Sequence, residues 1–133
     1  MRLRSDLARL LVAAAEERLG DETPAWDPRP AVCVVVASGG YPGHHRTGIE
    51  IAGLDAVLES DDLAVFHAGT ARRGNKVVTA GGRVLSVCAL GDDVEAARAR
   101  AYDAVSRIQF EGAHHRTDIG LAIAASRATS RRE

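Results

Sequence analysis

Three short apolar stretches and the turns between them decide the fold: Leu63-Ala-Val-Phe-His-Ala68, Lys76-Val-Val-Thr79 and Val84-Leu-Ser-Val-Cys-Ala-Leu90. Each is rich in residues that suit a pleated surface and is bounded by turn formers, so each reads as a strand. Gly69 to Asn75 is polar and turn-rich, which makes a hairpin of the first two stretches. Gly81-Gly82 supplies a second turn before the third. Two hairpins in succession imply an antiparallel sheet. If Phe66–Thr70 pairs with Lys76–Arg83, then His67, Thr70 and Arg83 come together near one sheet end.

Upstream, Ala31-Val-Cys-Val-Val-Val-Ala37 is a continuous apolar run of the kind buried on both faces of a sheet. Ser38-Gly-Gly-Tyr-Pro-Gly43 follows as a tight loop. Ile49–Ala52 reads as a short strand, and 54–58 is ambiguous. Downstream, Gly91-Asp-Asp93 caps a helix in which Val94, Ala97, Ala101, Val105 and Ile108 recur at helical spacing. Residues 112–118 form a loop, 119–128 a short alanine-rich helix and 129–133 a frayed tail. At the start, Ser5 and Asp6 precede an apolar stripe of Leu7, Leu10, Leu11 and Ala14, with Gly20 as the stop. Prolines 24, 28 and 30 make 21–30 an extended connector, with Trp26 packing it onto the body.

The expected fold is therefore α+β: a small, mainly antiparallel, barrel-like sheet with one long flanking helix. A length of 133 residues suits one domain with a real core. It leaves no room for a complete ATP-driven ligase or dinucleotide enzyme, which need two or more. Seventeen basic and 18 acidic residues nearly cancel, which argues against a nucleic-acid partner. No apolar run reaches the roughly 18 residues that span a membrane, and no secretory core is recognisable, so neither a membrane nor a signal peptide is expected. Cys33 and Cys88 lie in apolar runs and read as buried, reduced thiols, which points to the cytoplasm.

Four places could carry chemistry. The Ser38–Gly43 loop has backbone N–H groups able to cradle an anion, although it is neither a P-loop nor a dinucleotide fingerprint; an ordinary tight turn is the alternative. Phe66-His-Ala-Gly-Thr70 together with Thr79-Ala-Gly-Gly-Arg83 offers a planar guanidinium beside exposed glycine backbone, which suits phosphate. Five histidines fall in three clusters, His44-His45, His67 and His114-His115, but no spacing matches a zinc pattern, so no metal site is expected. Asp118 in Arg116-Thr-Asp-Ile-Gly120 either caps the last helix or orients Arg116. No nucleophile–base pair stands out, and no catalytic residue is expected.

At these same segments the chain resembles the C-terminal part of the phosphoribosylamine–glycine ligases, the ATP-grasp enzymes also called glycinamide ribonucleotide synthetases. The matching pieces run in order from Arg4-Ser-Asp-Leu7 through Ala37–Gly43, Val65–Thr70, Val78–Leu85, Ala89–Gly91 and Ala101-Tyr102 to Arg116–Gly120. Two positions depart from the family pattern: Ala80 stands for the usual asparagine and Leu121 for the usual tryptophan.

The resemblance implies an enzyme of de novo purine biosynthesis. It activates glycine as an acyl phosphate with ATP and Mg²⁺, and the amine of 5-phosphoribosylamine then attacks; an electrophile is made first because a carboxylate is a poor acceptor. It also implies that residues 1–28 are the helix and connector closing the ATP-grasp domain, and that 29–133 is a substrate-closing domain. Gly81, Gly82 and Arg83 would hold the ribose 5-phosphate, with His67, Gly69 and Thr70 near it. The chain has no candidates for the Mg²⁺ ligands or the adenine pocket, so on its own it is expected to be inactive, with no cofactor bound. Its expected partners are the missing ATP-grasp and N-terminal portion of a ligase and, through the first helix, a second copy of itself. The alternatives are a stand-alone phosphoribosyl-binding module and a histidine-dependent metal protein.

Overall fold

The structure, a computed structural model, describes residues 1–57 and 60–123. The tail expected at 129–133 and the second half of the helix expected at 119–128 lie outside them. The architecture is α+β. Strands β1 (Ala31–Ala37), β2 (Leu63–His67) and β5 (Arg83–Leu90) form an antiparallel sheet in the order β1-β5-β2. Strands β3 (Thr70–Arg73) and β4 (Lys76–Thr79) form a separate two-stranded ribbon.

This division corrects the first expected hairpin. Leu63–His67 pairs with β5 rather than with 76–79, and the hairpin is Thr70–Arg73 against Lys76–Thr79. The turn of that hairpin falls at Gly74-Asn75, where Gly74 has φ +61°, a left-handed conformation that glycine adopts without strain. Its shortness is the reason: a two-residue Gly-Asn turn closes a tighter ribbon than a seven-residue loop. The short strand expected at 49–52 is present as a backbone track along β4. Gly48 N–H donates to Thr79 C=O at 2.6 Å and Ile51 N–H to Val77 C=O at 2.9 Å.

Strand β1 is also corrected. It is buried on one face only: Val32, Val34 and Val36 point inward, whereas Ala31, Cys33 and Val35 are exposed. Helix α2 (Val94–Arg107) covers the inner face. It seats Val94, Ala97, Ala101, Ala104 and Val105 against Val34, Val36, Leu85 and Val87. This is the stripe expected from the sequence, with Asp93 as the cap accepting from Ala96 N–H at 2.9 Å. Among the described residues nothing comparable covers the outer face, so β1 lacks a second layer. Cys33 is accordingly exposed and Cys88 only half buried, in contrast to the buried thiols expected.

The N-terminal helix α1 (Leu7–Ala15) begins at the expected cap, Asp6, which accepts from Ala8 and Arg9 N–H. It ends five residues before Gly20, at Glu16-Glu17, where Glu17 has φ +56°. Only Ala13 is buried on it; Leu7, Leu11 and Val12 are exposed. What holds this segment to the body is polar. Residues 2–4 run antiparallel to 25–27, with Arg4 N–H to Ala25 C=O at 2.9 Å and Asp27 N–H to Arg2 C=O at 2.7 Å. Trp26, expected to pack inward, bridges Leu3 through its backbone and leaves its ring exposed. The buried residue is its neighbour Asp27, 1% exposed, gripped by Arg4 and by Arg29. Arg29 also reaches Asp62 at 2.8 Å, tying the connector to the start of β2.

Candidate functional site

The candidate site lies on the uncovered face of the three-stranded sheet, at the end where β5 leaves the Gly81-Gly82 turn. It is an open cavity of about 640 Å³ lined by Val35, Tyr41, Ala68, Gly69, Gly82, Arg83 and Ser86. Its walls come from three places in the sequence. Val35 and Ser86 are register partners on β1 and β5. Gly69 and Gly82 are the two turns. Tyr41 is delivered by the Ser38–Gly43 loop.

That loop is clamped onto the turn it overhangs. Ser38 N–H donates to Gly82 C=O at 2.8 Å, and the buried Ser38 hydroxyl donates to Gly81 C=O at 2.9 Å. Tyr41 N–H closes the loop on Ser38 C=O at 3.1 Å. The loop is therefore architecture as well as lining.

The glycines have steric reasons to be glycine. A Cβ on Gly69 would sit 2.6 Å from Arg83 O and 2.8 Å from Gly81 Cα, so two stretches of backbone meet here with no side chain between them. A Cβ on Gly82 would sit 2.1 Å from Tyr41 Cδ2, so the ring lies directly on the glycine. Gly69 N–H donates to Arg83 C=O at 2.8 Å and Ala80 N–H to Gly69 C=O at 2.7 Å. Gly81 and Gly82 differ in one respect: among the described residues their N–H groups donate to no protein acceptor. The Arg83 guanidinium likewise makes no hydrogen bond or ion pair among the described residues, whereas Arg29, Arg46, Arg107 and Arg116 are all paired. Two uncommitted backbone donors beside an uncommitted guanidinium form the chemical signature of an anion seat.

Not every expected residue lines this cavity. His67 and Thr70 line a neighbouring one of about 360 Å³ with Ala71, Arg72 and Val77. They are joined to each other, His67 Nδ1 to Thr70 Oγ1 at 3.0 Å. The split follows from the pleat: His67 is the register partner of Leu85, and Phe66, one residue earlier, is the partner of Ser86. Phe66 is 50% exposed and Val35 39%, so the sheet face beyond the cavity is an apolar surface. Val35 and Ser86 gave no signal in the sequence as site residues. Ser38 and Tyr41 entered only within the Ser38–Gly43 loop, read there for its backbone N–H groups and not for their side chains.

The other candidates resolve differently. Among the described residues no three His, Cys, Asp or Glu side chains come close enough to hold a metal ion. His45 rests on Gly43 C=O and the edge of Tyr41, and His115 lies beside Tyr102. Asp118 is taken by Arg116 through both oxygens, at 2.9 and 2.6 Å, and this pairing holds its carboxyl below the usual range. Its role is to anchor the 116–120 turn, which Tyr102 also pins through its hydroxyl on Arg116 C=O at 2.6 Å. Among the described residues no helix is long and apolar enough to cross a membrane.

Residues 31–122 match the family described as phosphoribosylglycinamide synthetase, C domain. The chain belongs to this family. It is 52% identical over 129 residues to a phosphoribosylamine–glycine ligase of Allochromatium vinosum, covering 96% of the chain and 30% of that relative. It is 52% identical over 128 residues to the ligase of Streptomyces coelicolor, covering 94% of the chain and 31% of the relative. The crystal structure of the Thermotoga maritima phosphoribosylamine–glycine ligase superposes with a TM-score of 0.62 at 35% identity, over 81% of the chain and 27% of the other. The chain thus spans about a third of the length of the curated relatives it matches.

Proposed function

We propose that this chain acts as the C-terminal, substrate-closing part of a phosphoribosylamine–glycine ligase, which joins glycine to 5-phosphoribosylamine with ATP in de novo purine biosynthesis. The observation that carries the reading is the near-complete match of the chain to enzymes of that name, 96% of its length at 52% identity. The geometry supports a definite share of the work. Gly81 and Gly82 N–H with the Arg83 guanidinium seat the ribose 5-phosphate. Gly69 keeps the seat close-packed, Tyr41 walls it, and His67 with Thr70 flanks it. A phosphate suits this place because charge-assisted bonds from a guanidinium are the strong ones, and the chain's net charge of −1 supplies no general attraction.

The residues present do not fit ATP or Mg²⁺. Among the described residues no carboxylate cluster could hold the ion, and the glycine loop lacks the spacing and following helix of a nucleotide cradle. Both would be held by the rest of a complete ligase, where they supply the activated acyl group. This chain's own task is to bind and orient the amine-bearing substrate and exclude water over it. The same reading assigns α1 to the ATP-grasp lobe, where its exposed Leu7, Leu11 and Val12 would be covered. A second copy would cover them in the chain alone. Light scattering across concentration tests this, and a monomer throughout would remove the dimer. The two unpaired thiols favour a cytoplasmic setting.

The decisive experiment supplies the N-terminal remainder of a relative ligase in trans. The chain alone should form no ADP from ATP, glycine and phosphoribosylamine, and the mixture should. In the mixture Arg83→Ala should raise the KM for phosphoribosylamine about 10- to 100-fold, the loss of a charged hydrogen bond, and leave that for ATP near its original value. Equal effects on both substrates would sink the assignment.

A further inference from the structure

The outer face of the sheet carries a second feature that the ligase reading does not use. Cys33 on β1 and Cys88 on β5 are register partners. In an antiparallel pair, facing residues alternate between those that exchange backbone hydrogen bonds and those that do not. The phase here can be read from the ladder ends. Gly91 N–H donates to Pro30 C=O, so 30 and 91 are a bonded pair, and so in turn are 32 with 89 and 34 with 87. Cys33 and Cys88 fall between them as a non-bonded pair. The other edge of β5 agrees. Leu90 N–H donates to Asp62 C=O and Ala68 N–H to Val84 C=O, which directs the backbone of residue 88 toward Ala64 on β2 and away from Cys33.

The phase matters because non-bonded partners have the closer Cα atoms, about 4.5 Å apart, and side chains that lean together. A disulfide spans Cα separations of about 4.4–6.8 Å. Facing partners also share one side of the sheet, and here that is the open side. Cys33 is exposed and Cys88 half buried. Burial first, and the adjoining Cys33 thiol second, push the Cys88 thiol up to about 12.

We propose that Cys33 and Cys88 form a dithiol modification site that closes to an intrachain disulfide on exchange with a low-molecular-weight disulfide. The reaction has two steps. The exposed Cys33 thiolate attacks the small disulfide, forming a mixed disulfide at Cys33 and expelling one thiolate. The Cys88 thiolate then attacks Cys33 Sγ, forming the Cys33–Cys88 bond and expelling the second. The protein dithiol loses two protons and two electrons, and the small disulfide becomes two thiols. The second step is the slow one because Cys88 holds its proton. The next register pair along, Val35 with Ser86, lines the cavity, so the cross-link forms at the border of the candidate site. The inference does not depend on the ligase reading.

The test is incubation of the whole chain with oxidised glutathione, followed by intact mass and non-reducing peptide mapping. The expected product weighs about 2 Da less than the reduced chain, with the peptides of residues 33 and 88 joined and no glutathione retained. The mixed disulfide at Cys33 should appear first. Its conversion should speed up about tenfold per pH unit between pH 7 and 9, because the Cys88 thiolate fraction grows tenfold per unit well below its pKa. Cys88→Ser should stop at the mixed disulfide, and Cys33→Ser should react far more slowly. Two glutathiones retained per chain, or cross-linking only between chains, would overturn the proposal.

Discussion

Replacing Gly69 with alanine isolates the contact on which the site is built. The residue is not held in the left-handed region, so the substitution carries no intrinsic backbone strain, and its whole effect comes from what the new methyl meets. It meets backbone: Arg83 O at 2.6 Å, Gly81 Cα at 2.8 Å and Gly81 N at 3.0 Å. Ordinary contact begins near 3.4 Å, so the 81–83 segment must retreat by 0.6–0.8 Å. The Gly69 N–H to Arg83 C=O bond, 2.8 Å long, then stretches past the hydrogen-bond limit. One lost bond is worth about 0.5–1.5 kcal/mol and an overpacked contact about 1–3, so about 2–4 kcal/mol is expected. For a chain of 133 residues each kcal/mol moves Tm by about 3–4 °C, so Gly69→Ala should melt about 6–16 °C lower. Two companions calibrate the measurement. A methyl at Gly20 has no atom within 4 Å, and that variant should stay within about 0.5 kcal/mol of the parent. The nearest atoms a Gly82→Ala methyl meets belong to the partly exposed Tyr41 ring, a side chain that can swing away, so it should cost less than Gly69→Ala. Circular dichroism melts and urea titrations read all three. A Gly69→Ala melt within 2 °C of the parent would refute the claim that the two turns are packed backbone to backbone.

Further outcomes follow from other parts of the fold. Leu85→Ala removes a fully buried side chain between the sheet and α2 and should cost about 2–5 kcal/mol, read as a lower urea midpoint. Asp93→Ala removes the acceptor for Ala96 N–H and should cost about 0.5–2 kcal/mol by the same measure. Asp27→Asn should loosen the N-terminal segment, with the first tryptic cleavages moving to its arginines, because Arg4 and Arg29 lose their shared carboxylate. The Arg29 guanidinium first, and Arg4 with it, hold the Asp27 carboxyl well below the usual carboxylate range. A depressed folded value stabilises above the unfolded pKa of about 4 and is lost as pH falls below it. The gap in urea midpoint between parent and Asp27→Asn should therefore be full at pH 6 and shrink by pH 3; a gap independent of pH would contradict this account.

How far the sequence was legible depended on whether its signals were local. The α2 stripe and its Asp93 cap, and the start of α1 at Asp6, are set within a few residues, and they were read correctly. The pairing partner of Leu63–His67 is set by β5, some twenty residues away, and the turn-rich 69–75 segment hid a strand that makes a ribbon of its own. Strand β1 misled for another reason. Its run of valines reads as buried on both faces, yet only one face is covered among the described residues. The same valines suit a pleated surface on either face, so an apolar run alone does not say how many faces are covered. The glycines bear on a broader point. Gly81, Gly82 and Arg83 read as phosphate ligands with Gly69 near them, and packing accounts for Gly69 and Gly82 without any ligand. The two accounts use different atoms of the same residues. The missing Cβ lets Gly69 lie against Gly81 and Tyr41 lie on Gly82, while the N–H groups of Gly81 and Gly82 stay uncommitted because that packing consumes no donor. Close packing thus fixes where the two backbone donors stand, so the proposed phosphate seat would need no loop to be ordered around the anion.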